Sequence, residues 1–272
     1  MKPNPGLHDG VPFADYLAWE ATSVHDLLNL RRSPQHFRYA KDHPHEPTAA
    51  MRFGTAAHSW ILTPGVAPDE ILVAPKVDRR TKVGKEAWAE FEARANGRTV
   101  VTEDEAHTLA KMAGAVAASP AAQVALDAAE RREVSCAWAD PAGSGLMMRG
   151  RPDALGDNLI VDLKTAQDAS PDAFARTAAN FGYHAQAAYY LDGLRNLGYC
   201  DEQAVFLFVV VEKTPPFGVA VYALDDEAIE AGRAQYEDAW RTYRSCRASN
   251  SWPSYPGSQK IETLSLPRWA TR

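Results

Sequence analysis

GRPDALGDNLIVDLKTAQDAS, residues 150–170, is the stretch that indicates the fold. Its apolar run, LIVDL, contains one acid, Asp162, and Lys164 follows directly. Residues two apart on a strand project from the same face, so Asp162 and Lys164 would point together. Asp153 stands just before the turn-like LGDN, and pairing of the two flanking runs would bring it alongside. The stretch therefore predicts a hairpin that carries two carboxylates and a lysine to one place.

Carboxylates held this close repel each other and raise each other's pKa unless a cation lies between them. Mg²⁺ is the usual cation, because hard divalent ions prefer carboxylate oxygens. The spacing of Asp153, Asp162 and Lys164, with Pro152 in front, matches the PD-(D/E)xK signature of nucleases. So short a motif also arises by chance, and a salt-bridged surface hairpin is the alternative interpretation.

Composition points to an ordinary globular protein. The chain has 272 residues, of which 46% are hydrophobic and 24% charged. No apolar run approaches the ~18 residues of a membrane span, and the start lacks the apolar core of a signal peptide. The three cysteines, Cys136, Cys200 and Cys246, stand far apart, which excludes a disulfide scaffold and a recognisable zinc or iron–sulfur site. We expect a cytoplasmic protein without a membrane partner.

The distribution of charge matters more than the net charge of −6, which by itself argues against nucleic acid. Between residues 76 and 85, five basic residues stand against one acid. Such a segment can contact the DNA backbone without reading sequence. A solvated loop is an equally good interpretation on charge alone. The candidate DNA-binding residues here are Arg79, Arg80, Lys82 and Lys85.

The order of predicted elements gives a single α/β domain over residues 1–272, with a central mixed sheet flanked by helices and a helical N-terminal part. Proline and glycine predict a loose arm over residues 1–20. The following 21–130 should be mainly helical and 131–247 the α/β core, with strands over 133–139, 145–154, 159–165, 204–211 and 217–224. The proline-rich 248–272 should be an irregular but packed tail.

Helix starts and stops are marked by capping residues. Ser23 and the Thr102–Glu105 capping box each open a helix, and Ser170 with Pro171 opens another. Helices are also predicted over 54–62, from Lys85 onwards after a basic loop, over 183–197 and over 226–246.

Further candidate site residues lie on these elements. His58 is on the helix over 54–62, and Glu133 is on the strand before the hairpin. Gln186 and Tyr190 are four apart on a helix and share a face. A lone histidine is more often a satisfied interior residue, and Tyr190 is as well explained by core packing. Arg149 and Arg151 flank the site, where a cross-strand ion pair is favoured over a phosphate contact.

The chain resembles the RecE-type exonuclease VIII family of phages and prophages, within the RecB-like branch of the PD-(D/E)xK nucleases. The resemblance runs nearly end to end. It is carried by VDLKT and the AQAAYY that follows it, together with SVHDLLNLRRSPQHF, MRFGTAAHSWILTP, RRTKVGKEAW, GRPDAL, VVVEKTPPFGVAVYAL and LPRWA. It implies a restriction-endonuclease-like core.

The resemblance also implies an activity. Linear double-stranded DNA would be degraded from its ends, 5′ to 3′, with Mg²⁺ or Mn²⁺, leaving 3′ single-stranded tails for recombination. A ring-shaped homo-oligomer, a trimer or tetramer, and a partner single-strand annealing protein are implied as well. The iron–sulfur cluster of some relatives is not expected, because their cysteine cluster is absent from the sequence.

Roles follow from the chemistry and the resemblance together. The expected metal ligands are His58, Asp153, Asp162 and the backbone carbonyl of Leu163, with Glu133 acting through a second metal or a water. Lys164 would orient or deprotonate the attacking water, or balance the developing charge. Gln186 would position Lys164, water or phosphate. Tyr190 would support Gln186 or lie along the DNA.

Two other functions remain open. One is an endonuclease or flap nuclease of the same superfamily. The other is a non-catalytic protein that binds DNA ends on a nuclease fold, although a complete set of His58, Asp153, Asp162 and Lys164 argues against it.

Overall fold

The structure is a computed structural model that describes residues 1–44, 46–65, 70–95, 98–255 and 260–270. Its centre is a mixed sheet of five strands in the order β10-β9-β8-β7-β4, in which β8 and β9 are parallel and the other neighbours antiparallel. These strands are β4 (Arg131–Arg132), β7 (Ala154–Gly156), β8 (Leu159–Ala166), β9 (Val205–Glu212) and β10 (Val219–Ala223). The predicted α/β fold with a central mixed sheet is confirmed.

Two smaller sheets accompany the central one. The first has the order β1-β5-β6 and is antiparallel; the second pairs β2 with β3 in parallel. Their strands are β1 (Gly6–His8), β2 (Ile71–Val73), β3 (Thr99–Val101), β5 (Ser135–Ala139) and β6 (Met147–Gly150).

Most helices begin where the sequence provides a cap. Ser23 and Thr102 form capping boxes with Asp26 and Glu105, and Pro171 occupies the first turn after Ser170. The helices are α1 (Phe13–Leu17), α2 (Val24–Leu28), α3 (Pro34–Asp42), α4 (Ala49–Leu62), α5 (Lys82–Arg94), α6 (Glu103–Ala118), α7 (Pro120–Ala128), α8 (Pro171–Phe181), α9 (Tyr183–Asn196) and α10 (Asp226–Ser249). In the described part of the chain, no single helix could cross a membrane; by length and composition alone α6 and α7 together could, with an 85° bend between them.

Strand β8 is covered on both faces, as its nearly continuous apolar run requires. Ile160 packs into one core together with Tyr189 of α9 and Phe208 of β9. Leu163 points the other way, into a second core that contains Leu109 of α6. Burying a side chain of this size contributes about 1.5–3 kcal/mol, so both layers hold the strand in register.

The prediction of one strand over residues 145–154 is wrong, because the strand is interrupted between β6 and β7. Strand β6 pairs with β5 in the three-stranded sheet, whereas β7 pairs with β8 in the central sheet. Pro152 lies between the two strands and has no N–H to donate to the hydrogen-bond ladder of a sheet. Asp153, predicted to lie on a hairpin strand, is therefore at the point where the two sheets separate.

Glu133 is also not on a strand. Its backbone has φ of 53°, a left-handed conformation that is uncommon outside glycine, and β5 begins only at Ser135. The Glu133 N–H donates to the carbonyl oxygen of Asp153 at 3.0 Å. This hydrogen bond sets the two acidic residues side by side.

The N-terminal segment is not a loose arm, contrary to the prediction. Strand β1 pairs with β5, and helix α1 follows it. The buried guanidinium of Arg149 donates to the carbonyl oxygens of Tyr16, Leu17 and Trp19, at the end of α1. The glycines and prolines of this segment shape a docked structure.

The C-terminal tail is packed only at its beginning. Trp252 stacks on Phe37 of α3 with ring centroids 5.4 Å apart. Residues 260–268 are exposed, including the apolar Ile261 and Leu264. The expectation of a packed tail is therefore wrong for this last described stretch, because its apolar side chains are exposed.

Helix α10 approaches α9 closely at Gly232, where an added Cβ would lie 2.2 Å from the carbonyl oxygen of His184. We therefore expect Gly232→Ala to push the helices apart and destabilise the protein by about 1–3 kcal/mol. Gly114→Ala is the matched control, since a Cβ on exposed Gly114 of α6 meets nothing within 4 Å. That change should stabilise by roughly 0.5–1 kcal/mol. Urea unfolding curves measure both, and equal stability of Gly232→Ala and wild type would contradict the close approach.

Candidate active site

Three elements that are distant in sequence bring His58, Glu133 and Asp153 together. His58 comes from α4, Glu133 from the turn before β5, and Asp153 from the break between β6 and β7. Their ligand atoms all lie within 4.8 Å of one another. Such a set of one imidazole and two carboxylates can hold a divalent metal ion.

Asp153 is fixed through both of its oxygens. Oδ1 lies 3.2 Å from Nδ1 of His58, and Oδ2 accepts the backbone N–H of Leu163 at 2.7 Å. The second bond ties the carboxylate to β8, between the two positions that carry Asp162 and Lys164. The group of three residues is thereby coupled to the central sheet.

Asp162, Lys164 and Gln186 form a second, adjoining group. Nζ of Lys164 lies 2.6 Å from Oδ2 of Asp162 and donates to Oε1 of Gln186 at 3.0 Å. Nε2 of Gln186 donates to Oδ1 of Asp162 at 2.6 Å. The predicted common face of Asp162 and Lys164 is confirmed, and α9 supplies the amide that holds both.

Burial and charge compete at His58. Burial disfavours the protonated imidazole, but the Asp153 carboxylate, with Asp162 further off, outweighs burial and raises the pKa of His58 to about 9. Burial likewise opposes ionisation of Asp153, yet His58 lowers the pKa of that carboxyl overall. In the metal-free protein His58 is therefore a cation at neutral pH, paired with an anionic Asp153.

Burial, with the neighbouring Asp153 charge, raises the pKa of Asp162 to about 6 although Lys164 acts in the opposite direction. Burial also disfavours the cationic form of Lys164, but Asp162 outweighs it and raises the pKa of Lys164 above its usual range. Burial and Asp153 raise the pKa of Glu133 against the effect of Arg151. The carboxylates of Glu133, Asp153 and Asp162 lie close together. The positive charges of nearby residues compensate their negative charge only in part.

The site fits a hard divalent cation. Oδ2 of Asp162 is buried and receives no hydrogen bond of good geometry, although Lys164 lies within ion-pair distance. The carboxylates of Glu133 and Asp153 lie beside this acid, and the nearby negative charge raises the pKa of Glu133, so a cation between Glu133 and Asp153 would be stabilising. The donor atoms nearest to one another are those of His58, Glu133 and Asp153.

The grouping differs from the predicted one in two respects. Glu133, expected to act through a second metal or a water, belongs to the close set, whereas Asp162 is engaged by Lys164 and Gln186. The contact of Leu163 in this region is its N–H on Asp153. The ligand roles of Asp162 and of the Leu163 carbonyl stay predictions.

Three residues at the site lacked a clear role in the sequence. Arg151 donates to Glu133 at 2.8 Å and to Ser135 at 2.9 Å, so the favoured ion-pair interpretation is confirmed for it. The ring of Tyr183 lies 4.4 Å from Nζ of Lys164, and its place three residues before Gln186 on one helix could have indicated this.

His25 is the third. Its side chain is exposed to solvent. Neighbouring protein atoms and the charge of Lys164 lower the pKa of His25 to about 4. Nothing in the local sequence distinguishes it from a surface histidine of a short helix.

The burial of Tyr190 favours core packing, which was the alternative interpretation, over the predicted contact with DNA. Its ring is 6% exposed and packs against Phe206, with centroids 6.3 Å apart. An added Cβ on Gly150 would lie 2.9 Å from the Tyr190 ring, so the ring also closes on β6. Tyr190 lies four residues after Gln186 on the same helix, and its ring belongs to the core; its support of Gln186 stays a prediction.

The basic segment is exposed but makes local contacts, and the helix after it begins at Lys82, three residues before the predicted start at Lys85. Thr81 caps α5, which includes Lys82 and Lys85. The guanidinium of Arg79 lies over the Trp88 ring at 4.1 Å, and Arg80 pairs with Asp78 at 3.0 Å. Among the described residues, none of these contacts involves the active-site acids Glu133, Asp153 and Asp162. DNA binding by Arg79, Arg80, Lys82 and Lys85 stays a prediction.

Comparison with known proteins identifies the family. Residues 23–266 match the family model described as a PDDEXK-like domain of unknown function, DUF3799. A crystal structure from Eubacterium rectale, of a protein provisionally described as an exonuclease, is similar over 94% of this chain and 92% of its own, with 13% identity and a TM-score of 0.58. At this identity the likeness concerns the fold.

The crystal structure of SSO0001 is matched over 80% of this chain and 76% of its own, with 15% identity and a TM-score of 0.31. None of the curated proteins matches the chain at a significant level.

Because the pKa of His58 is raised to about 9, a divalent ion that binds its imidazole near neutral pH must displace a proton. Affinity for Mn²⁺ should therefore rise with pH up to about 9, at most about tenfold per unit. Calorimetry in buffers of different ionisation enthalpy should show about one proton released per ion at pH 7.5. Release should be lost in His58→Gln and kept in His107→Gln, a change at an exposed residue of α6. Affinity independent of pH would remove His58 from the ligand set.

Proposed function

The chain belongs to the PDDEXK-like family DUF3799, and from this membership we propose that it is a metal-dependent DNA exonuclease of RecE type. The observation that supports this most strongly is the convergence of His58, Glu133 and Asp153 beside a buried group of Asp162, Lys164 and Gln186. In metal-assisted phosphodiester hydrolysis such ligands hold the ion, and a fixed cation can stabilise the charge that develops on the phosphate.

The residues present can divide the chemistry between them. A divalent cation held by His58, Glu133 and Asp153 would supply charge neutralisation at the scissile phosphate and a bound water of lowered pKa. Lys164 is kept protonated by Asp162, so it acts as a cation and hydrogen-bond donor that orients the water or stabilises the charge developing on phosphate. General-base action of Lys164, the other role considered, requires a neutral amine and is disfavoured by its raised pKa.

Gln186 and Arg151 hold the reacting groups in place. Gln186 binds Asp162 and Lys164 at once, which fixes the distance between the acid and the amine. Arg151 fixes the Glu133 carboxylate through its Nε. Both contacts limit rotamer freedom where a displacement of about 1 Å can cost 10²-fold in rate.

Attack on DNA ends is the finer part of the proposal. It is supported by the RecE-type sequence motifs and by the fold shared with the Eubacterium rectale protein. On the resemblance alone, degradation runs 5′ to 3′ and leaves 3′ tails for recombination. A trimeric or tetrameric ring, a single-strand annealing partner and action in the cytoplasm complete this proposal, with Mg²⁺ as the ion and Mn²⁺ as substitute.

Exposed cations of α5 and the turn before it would supply affinity for the duplex backbone. Such contacts are independent of sequence, which suits an enzyme that degrades any end. The residues proposed for this role are Arg79, Arg80, Lys82 and Lys85.

Linear duplexes labelled at either the 5′ or the 3′ end, with a closed circle as control, test the proposal. We expect Mg²⁺-dependent loss of label from the 5′ end, sparing of circles, and no reaction with chelator. Asp162→Asn should lower the rate by about 10²–10⁴-fold. The substitution removes the ion pair that holds Lys164 in place and one of the closely spaced negative charges of the site. Asp157→Asn, an exposed acid in the same hairpin, is the matched control and should keep full activity.

Other outcomes separate the alternatives. Nicked or linearised circles would establish an endonuclease in place of the exonuclease. Binding of ends without cleavage under any divalent ion would establish the non-catalytic end-binding protein. Full activity of Asp162→Asn would show that the group of Asp162, Lys164 and Gln186 is not part of the active site.

A further inference from the structure

The segment from Arg31 to His43, which contains helix α3, is a positive part of a chain whose net charge is −6. It has four lysines and arginines and one acid, Asp42. Within this segment, which the structure describes throughout, Ser33 and Phe37 are buried and the other residues are exposed or half-buried. An exposed excess of positive charge attracts phosphate groups.

Helix α3 is held to the rest of the protein through Phe37. The Phe37 ring stacks on that of Trp252, with centroids 5.4 Å apart, and meets the Tyr243 ring edge-on at 5.6 Å. Lys41 adds an ion pair with Asp26 of α2 at 2.5 Å. The helix therefore has a fixed place, with most of its other side chains toward solvent.

Aromatic rings follow one exposed side of this helix. His36, Tyr39 and His43 are three and four residues apart, a spacing that puts them on one face. The Tyr39 ring stacks on that of His43, with centroids 4.2 Å apart and planes 18° from parallel. The Tyr255 ring lies 5.6 Å from the His36 ring, and its hydroxyl accepts a hydrogen bond from Nε of Arg32 at 3.1 Å. These five residues are called the α3 strip below.

The tyrosines of the α3 strip are open to solvent, since Tyr39 is 64% exposed and Tyr255 49%. The exposed Arg31 and Arg32 lie at the start of the same segment. Among the described residues, no acid lies within ion-pair distance of either arginine. Exposed rings beside uncompensated positive charge are typical of a binding surface.

Unpaired nucleotides match this combination of side chains. Exposed rings offer faces on which bases stack, and arginines can contact the phosphates between the bases. Bases inside a duplex have both faces covered by their neighbours, so a duplex would leave the rings unused. Tyrosine and arginine are also enriched in protein interfaces, but the excess of positive charge favours a ligand with one phosphate per nucleotide.

We propose that the α3 strip, together with Arg31, is a binding site for single-stranded DNA apart from the active site. Tyr39 and Tyr255 stack on bases, while Arg31 and Arg32 bind phosphates. Among the described residues, none of the strip's contacts involves an acid of the active site. The choice of DNA rests on the proposed function, whose product is a single-stranded tail.

Fluorescence anisotropy with a labelled single-stranded oligonucleotide of about 12 nucleotides tests the site, with EDTA present to prevent metal-dependent cleavage. Tyr39→Leu and Tyr255→Leu should each raise Kd by about five- to tenfold, because leucine is apolar but offers no ring for stacking. Tyr39→Phe and Tyr255→Phe keep the ring and should bind as wild type does. Phe13→Leu is the matched control, a 56% exposed ring on α1 outside the α3 strip, and should leave Kd unchanged.

The salt dependence of Kd separates the arginines from the tyrosines. Replacing Arg31 and Arg32 together by glutamine should lower the slope of log Kd against log salt by about 1.4, since each phosphate contact on a single strand contributes about 0.7. The leucine variants should keep the wild-type slope. Arg98→Gln, a change at an exposed arginine outside the α3 strip, should also keep it.

Three results would each overturn the site: unchanged Kd in both leucine variants, an equal loss of affinity in Phe13→Leu, or no binding of single strands by wild type. Thermal unfolding should show that all variants are folded, as expected for changes at exposed side chains. Sedimentation velocity on the same proteins tests a protein partner. An assembly that dissociates in Tyr39→Leu while Kd for DNA is unchanged would assign the α3 strip to a contact between copies and refute the DNA site.

The binding test does not depend on cleavage, so the two proposals can fail separately. Loss of binding in the leucine variants of a protein that cuts no DNA would refute the nuclease and keep the α3 strip. Wild-type cleavage, with unaltered affinity for single strands in every variant of the strip, would keep the nuclease and refute the second site.

Discussion

The position of the Asp153 carboxylate is the constraint on which the rest of the site depends. One oxygen faces the His58 imidazole at 3.2 Å and the other accepts the N–H of Leu163 at 2.7 Å. Its backbone carbonyl accepts the N–H of Glu133. A helix, a turn and the central strand therefore meet at this residue, and the break at Pro152 is what frees it from a strand ladder.

Charge crowding makes this arrangement suited to catalysis and costly in the absence of a metal ion. Burial raises the pKa of both Asp162 and Glu133, while His58 and Lys164 offset the negative charge from opposite sides. Groups whose environments push their pKa values apart are typical of active sites. A protonated Lys164 then follows from the fold, since Asp162 is fixed beside it by Gln186.

Much of this could be predicted from local periodicity. The period of two on β8 placed Asp162 and Lys164 on one face, and apolar runs of strand length located β9 and β10. Capping boxes located the starts of α2 and α6. These features succeed because they depend on neighbours within a few residues.

The predictions that are wrong concern features that depend on contacts between segments distant in the sequence. The change of sheet at Pro152 and the left-handed backbone of Glu133 arise from pairing with different strands. The docked N-terminal segment depends on Arg149, more than a hundred residues away. For Tyr190 the sequence left core packing and a role at the site open, and its ring packs in the core against Phe206.

The central claim is that His58, Glu133 and Asp153 hold one divalent ion beside the group of Asp162, Lys164 and Gln186. A crystal soaked in Mn²⁺ and measured at the manganese absorption edge tests it most directly. The account predicts an anomalous peak within about 2.0–2.3 Å of one nitrogen of His58 and of oxygens from Glu133 and Asp153. A saturated crystal with no peak there, or with a peak coordinated by other residues, would contradict it.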